Sequence, residues 1–184
     1  RALYESIPSV RRALDSLPDE AAPGLKEVMF SGREDKLFPP VNSPVPSMFF
    51  EVTVALSLSV ARALREEGAV PDCAAGRSVG EFSAFAFSGV IPSGFCFSVV
   101  QEFSRLGQRN CIGRPSLLVT VYGAGRRQLE IACARLAVRG RVCEVVNFYT
   151  RLNAGVVGMD AALAAPFRAL LPRRTKVKPC REVG

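Results

Sequence analysis

Residues 76–84 read Gly76-Arg77-Ser78-Val79-Gly80-Glu81-Phe82-Ser83-Ala84. The first five positions fit G-x-S-x-G, a strained strand-to-helix turn in which flanking glycines leave room for a serine hydroxyl raised at its tip. A chain of this size shows the pattern by chance about once in twenty, so a plain glycine-rich turn is the alternative. Context separates the two. Asp72-Cys73-Ala74-Ala75 before the turn is a short run expected as a buried strand, and the residues after Gly80 are expected as a helix. That helix points its N-terminus at the turn, and the Val79 amide is an oxyanion donor in such an arrangement.

Upstream, Leu3, Ile7, Val10, Ala13, Leu14 and Leu17 recur at helical spacing until Pro18. Residues 18–46 are proline-rich and expected as loop with a short helix near 25–30, and a long apolar helix is expected over 47–67, stopped by Gly68. Further helices are expected over 81–88 and 94–106. After Pro115 the rhythm changes to strand 116–122, helix 126–138, strand 142–148, strand 154–157, helix 161–171 and strand 175–178. That order, β-α-β-β-α-β, is the split ferredoxin-like unit. The expected architecture is α/β: an α/β-hydrolase-like large subdomain over residues 1–115, carrying the serine elbow and lacking its first strand, and a ferredoxin-like small subdomain over 116–180.

Composition bounds the class. With 184 residues, 48% hydrophobic and 22% charged, the chain is long enough for a substantial core and too apolar for disorder. The most apolar stretch, 45–63, is interrupted by Pro46, Glu51 and several Ser and Thr, so a buried helix is expected rather than a membrane span. The six cysteines include no C-x-x-C pair and there is no histidine, which excludes mixed Cys/His zinc sites; no metal site is expected. A net charge of +7 attracts anionic partners, whether CoA phosphates, an acidic carrier protein or RNA. The chain opens on Arg1 and stops directly after an expected strand, so a segment trimmed at both ends is expected, with any targeting peptide outside it.

The block 76–84, followed by Ser88-Gly89-Val90-Ile91, resembles the G-H-S-x-G-E-[YF]-S-A...G-[VA]-[IL] block of malonyl-CoA:acyl carrier protein transacylases and the acyltransferase domains of fatty acid and polyketide synthases. Val146-Asn147-Phe148 resembles the family's N-x-N-S-P-G-Q region, and Pro46-Ser47-Met48-Phe49 sits at its Q-P-A-L-L helix start. The resemblance implies Ser78 as the nucleophile that takes an acyl group from a CoA thioester and passes it to acyl carrier protein, with Val79 at the oxyanion hole and no cofactor besides the CoA substrate. It implies a place in type II fatty acid synthesis, in a mitochondrion, a bacterial cytoplasm or a plastid, and no membrane.

Several positions depart from the family's pattern. Arg77 replaces the histidine beside the nucleophile; no histidine is present, and the sequence ends about where the F-H-[ST] motif is expected to begin, so the general base is missing either by truncation or by loss. Phe103 and Ser104 fall on the R-G of the carboxylate anchor, and Arg105, two residues on, is turned by about 200° on a helix. Tyr149 replaces the second Asn of the N-x-N motif, leaving Asn147 and, at the Gln position, Asn153. The substrate-binding candidates are therefore Arg105, Asn147 and Asn153, against a surface role for Arg105. Two functions follow: an acyltransferase working through Ser78, or a degenerate paralogue serving as a structural or assembly subunit of a large protein or ribonucleoprotein complex, for instance mitochondrial and ribosomal. The alternating Arg174, Lys176 and Lys178 on the last strand suit RNA phosphates or acidic protein, or simply guard a solvated edge.

Overall fold

The computed structural model describes residues 1–17, 24–39, 43, 45, 47–111, 115–138, 140–150 and 154–180. The chain divides into two compact units, residues 1–109 and residues 110–183. The division falls in the last turn of a helix, somewhat before the expected boundary at 115/116.

The first unit is helical throughout its described residues. Helices α1 (Ala2–Ser6) and α2 (Pro8–Asp15) replace the single expected helix, because Pro8 sits at the first position of α2 and Ile7 is extended between them. Helices α3 (Leu25–Ser31) and α4 (Glu34–Leu37) follow, then α5 (Phe49–Glu66), α6 (Gly80–Phe87) and α7 (Ser93–Cys111). The core gathers Val54, Ala55 and Leu58 of α5 with Leu14, Leu17, Leu25, Val79 and Phe97. Buried Ser104 of α7 donates to the Ser47 carbonyl at 2.7 Å, and the Gln108 amide donates to the carbonyls of Ser43 and Val45, fastening the entry to α5 against α7.

The strand expected over 72–75 is not formed. Residues 71–77 are exposed and carry no strand pairing, since no other strand exists among the described residues of this unit to take up their backbone groups. An apolar run alone does not make a strand; it needs a neighbour.

The second unit holds β1 (Ser116–Tyr122), α8 (Arg126–Leu136), β2 (Cys143–Thr150), β3 (Ala154–Asp160), a 3-10 turn (Ala161–Leu163), α9 (Ala164–Leu170) and β4 (Lys176–Pro179). Its sheet is antiparallel in the order β2-β3-β1-β4. Helix α8 stops two residues earlier than expected, β2 and β3 extend further, and the expected helix over 161–171 opens with the 3-10 turn. Val119, Val121, Val157, Met159 and Cys143 bury one sheet face against Leu129, Cys133, Leu163 and Phe167. Gly155 makes this contact close: a β-carbon there would lie 2.9 Å from Leu129 Cδ1 and 3.0 Å from the Asn147 carbonyl. Buried Cys133 is pushed up to about 12 by desolvation, with Cys143 beside it adding to the shift. Cys73 is the exposed thiol among the described cysteines.

Candidate active site

Ser78 has φ +54°, the positive value that L-residues avoid, and it is the one non-glycine residue of this kind among the described residues. Gly76 is what lets the chain close there. A β-carbon on Gly76 would lie 2.1 Å from the Gly80 carbonyl oxygen and 2.4 Å from the Glu81 nitrogen, so any side chain is excluded. Gly80 is different: a β-carbon there meets nothing within 4 Å. The turn runs directly into α6, with Gly80 N–H donating to the Arg77 carbonyl at 3.0 Å and Glu81 N–H to the Ser78 carbonyl at 3.0 Å.

Val79 anchors the turn by its buried side chain, 8% exposed, within the helical core, while Ser78 is exposed. Among the described residues no carbonyl takes the Val79 N–H. An exposed hydroxyl on a strained turn at a helix N-terminus, beside an uncommitted amide, can attack a carbonyl carbon and hold the oxygen that becomes negative. What the geometry lacks is a base: among the described residues the Ser78 hydroxyl has no hydrogen-bond partner, and the sequence contains no histidine.

The two residues at the expected carboxylate anchor separate on α7. The Phe103 ring lies 6.4 Å from that of Phe82, in the first turn of α6, and 5.7 Å from that of Phe50, and it remains 52% exposed. Arg105 turns to another side of α7, where it grips Glu102 with Nε 2.8 Å from Oε2. This ion pair holds the Glu102 carboxyl below its ordinary range. Arg105, Glu102, Gln101 and Ser98 line a cavity of about 450 Å³ with Met48 and Glu51, and neither Ser78 nor Val79 belongs to that lining. Asn147 lies on β2 of the second unit, opposite Val156 of β3. Asn153 lies outside the described residues.

Two features escaped the sequence reading. Glu51 is only 5% exposed, its Oε2 has no hydrogen-bond partner among the described residues, and desolvation pushes its carboxyl up. In sequence it registers only as an acidic interruption of an apolar helix. The Phe50–Phe103–Phe82 contacts join three separate elements and have no local signature. The obligatory emptiness at Gly76, by contrast, was signalled by the motif itself.

No model of a known protein family matches the chain. The malonyl CoA-acyl carrier protein transacylase of Bacillus subtilis is 29% identical over 147 residues, which is 80% of this chain and 44% of that protein. A solved malonyl-transacylase in complex with its type II polyketide synthase acyl-carrier protein superposes with a TM-score of 0.83 at 21% identity, covering 98% of this chain and 57% of that one. FabD from Acinetobacter baumannii gives 0.81 at 17% identity, over 98% and 56% of the two chains. The chain thus spans about half the length of the relatives it matches. By its serine turn and these likenesses, the chain resembles the malonyl-CoA:acyl carrier protein transacylases and shares the fold of their solved structures.

Proposed function

We propose that the protein transfers acyl groups from CoA thioesters to acyl carrier protein in type II fatty acid synthesis, with Ser78 as nucleophile and the Val79 amide in the oxyanion hole. The observation that carries this reading is the φ of +54° at Ser78 between Gly76 and the start of α6. The Ser78 oxygen bonds to the thioester carbonyl carbon, the C–S bond breaks and CoA leaves as its thiol with the serine proton. The carrier protein's thiol then attacks the seryl ester, giving its proton back to Ser78 as the new thioester forms. None of these 184 residues is a histidine, so no imidazole among them takes the proton. With Phe103 at the anchor position and Arg105 held by Glu102, an uncharged acyl group is the preferred cargo. The ferredoxin-like reading of the second unit and a mitochondrial setting belong to the same proposal.

Incubating the full-length protein with labelled malonyl-CoA and acetyl-CoA, followed by peptide mass spectrometry, tests it. A seryl ester at Ser78, more abundant with acetyl-CoA than with malonyl-CoA and absent from Ser78→Ala, is expected; no adduct from either thioester sinks the reading. The combined departures at Arg77, Phe103 and Tyr149 favour a second reading, in which the fold is kept as a structural or assembly subunit of a large complex. Co-purification from native extract separates the two: a protein found only free of any large assembly counts against the second.

A further inference from the structure

The first unit holds a cavity that acyl transfer leaves unused. It lies between the start of α5, with Val45, Met48 and Glu51, and the flank of α7 that carries Ser98, Glu102 and Arg105. On a helix those three α7 positions are turned by about 100–160° from Phe103, the residue that falls on the carboxylate anchor and whose ring faces Phe82. Arg105 is therefore a wall of this cavity, whose lining includes neither Ser78 nor Phe103. Its volume of about 450 Å³ is that of a small-molecule site.

The charges around it do not balance. Its ionisable groups are two carboxyls and one guanidinium, and Arg105 is committed to Glu102, with Nε 2.8 Å from Oε2. Glu51 is left without a counter-charge. It is buried, and among the described residues its Oε2 accepts no hydrogen bond. Its own backbone amide favours the charged form, against the larger cost of desolvation. A buried polar atom left unsatisfied carries a free-energy penalty, which a ligand that reaches it relieves.

We propose that this cavity binds a short aliphatic primary amine, its ammonium group set against the Glu51 carboxylate. The three N–H donors of such a group suit the carboxyls and the Ser98 oxygen, whose own hydrogen is given to the Gly94 carbonyl at 3.2 Å. Val45 and Met48 offer the alkyl chain an apolar wall. Other ligand classes fit less well. No aromatic ring belongs to the lining, as the cage of a quaternary ammonium requires. No group of three metal-ligating side chains exists among the described residues, and an anion would meet the carboxyl that already lacks a counter-charge. The net charge of +7 repels cations at long range, so affinity for an amine has to come from the cavity itself. This inference does not rest on acyl transfer.

The test is NMR of the whole chain with isotope-labelled methionine methyls, while n-butylammonium chloride replaces sodium chloride at constant ionic strength. Of the three methionines Met48 lines the cavity, so its signal should move with a Kd on the order of 1 mM, whereas that of Met159 in β3 stays. Glu51→Gln should weaken binding about tenfold or more, the loss of one charge-assisted contact. Arg105→Gln frees the Glu102 carboxylate and should tighten binding severalfold. Glu34→Gln removes an exposed carboxylate of α4 and should change nothing. Circular dichroism should show the variants folded, since Glu51→Gln keeps the side chain's shape and the other two side chains are exposed. The proposal fails if the Met48 methyl does not move, if n-butanol or butyrate moves it at the same concentration, or if Glu51→Gln binds as the native chain does. It fails equally if Arg105→Gln weakens binding, if Glu34→Gln acts like Glu51→Gln, or if acetyl-CoA displaces the amine, which would return the cavity to the acyl-transfer site.

Discussion

Ser78 pays a conformational cost that its hydroxyl does not require, and substitution separates the two. A non-glycine residue in the left-handed region is disfavoured by about 1 kcal/mol or somewhat more. Ser78→Gly should therefore stabilise the chain by about 1 kcal/mol while removing the nucleophile, whereas Ser78→Ala should remove the nucleophile at unchanged stability; urea denaturation reads both. Glu51 is a second residue held against its own preference. Burial raises its carboxyl in the folded state, so below its unfolded pKa of about 4.3 both states are protonated and nothing is lost. As pH rises past that value the unfolded chain ionises first, and stability falls until the folded carboxyl ionises too. Glu51→Gln should abolish this fall, giving a variant more stable than the native chain at pH 7 and no more stable at pH 4, measured by denaturation at the two pH values.

At the scale of the element, the turn from residue 76 into α6 makes opposite demands on its two glycines. Gly76→Ala forces a β-carbon into the Gly80 backbone and should cost about 1–3 kcal/mol or more, together with the Ser78 geometry. Gly80→Ala meets open space in the first turn of a helix and should be neutral or stabilising by up to about 1 kcal/mol. Thermal unfolding of the pair checks the contrast. Elements of this kind were legible in the sequence where the signal is local: the G-x-S-x-G turn, the long α5, and the β-rich run of β1 all rest on neighbours within a few residues. The strand expected over 72–75 was not realised because pairing depends on another segment that these residues do not choose. Phe103 shows the same limit in the site. Its departure from the anchor pattern was readable, but its contacts with Phe50 and Phe82 come from packing against helices that lie far from it in sequence.

For the chain of 184 residues taken by itself, the absence of histidine leaves no imidazole to serve Ser78. A diffusible base should then restore part of what general-base catalysis ordinarily contributes, a factor of about 100 or more. Imidazole added to the buffer should speed formation of the Ser78 ester severalfold and leave Ser78→Ala without one; the initial rate of adduct formation by mass spectrometry reads it. The cysteines have a further use of their own. Desolvation holds Cys133 and Cys143 as unreactive thiols, and Cys96 is buried, while Cys73 stands exposed five residues before the nucleophile. In a variant with Cys111 and Cys180 replaced by Ser, a maleimide dye should therefore report from the approach to the elbow, turning the strand that failed to pair into an optical sensor of whatever comes to cover it.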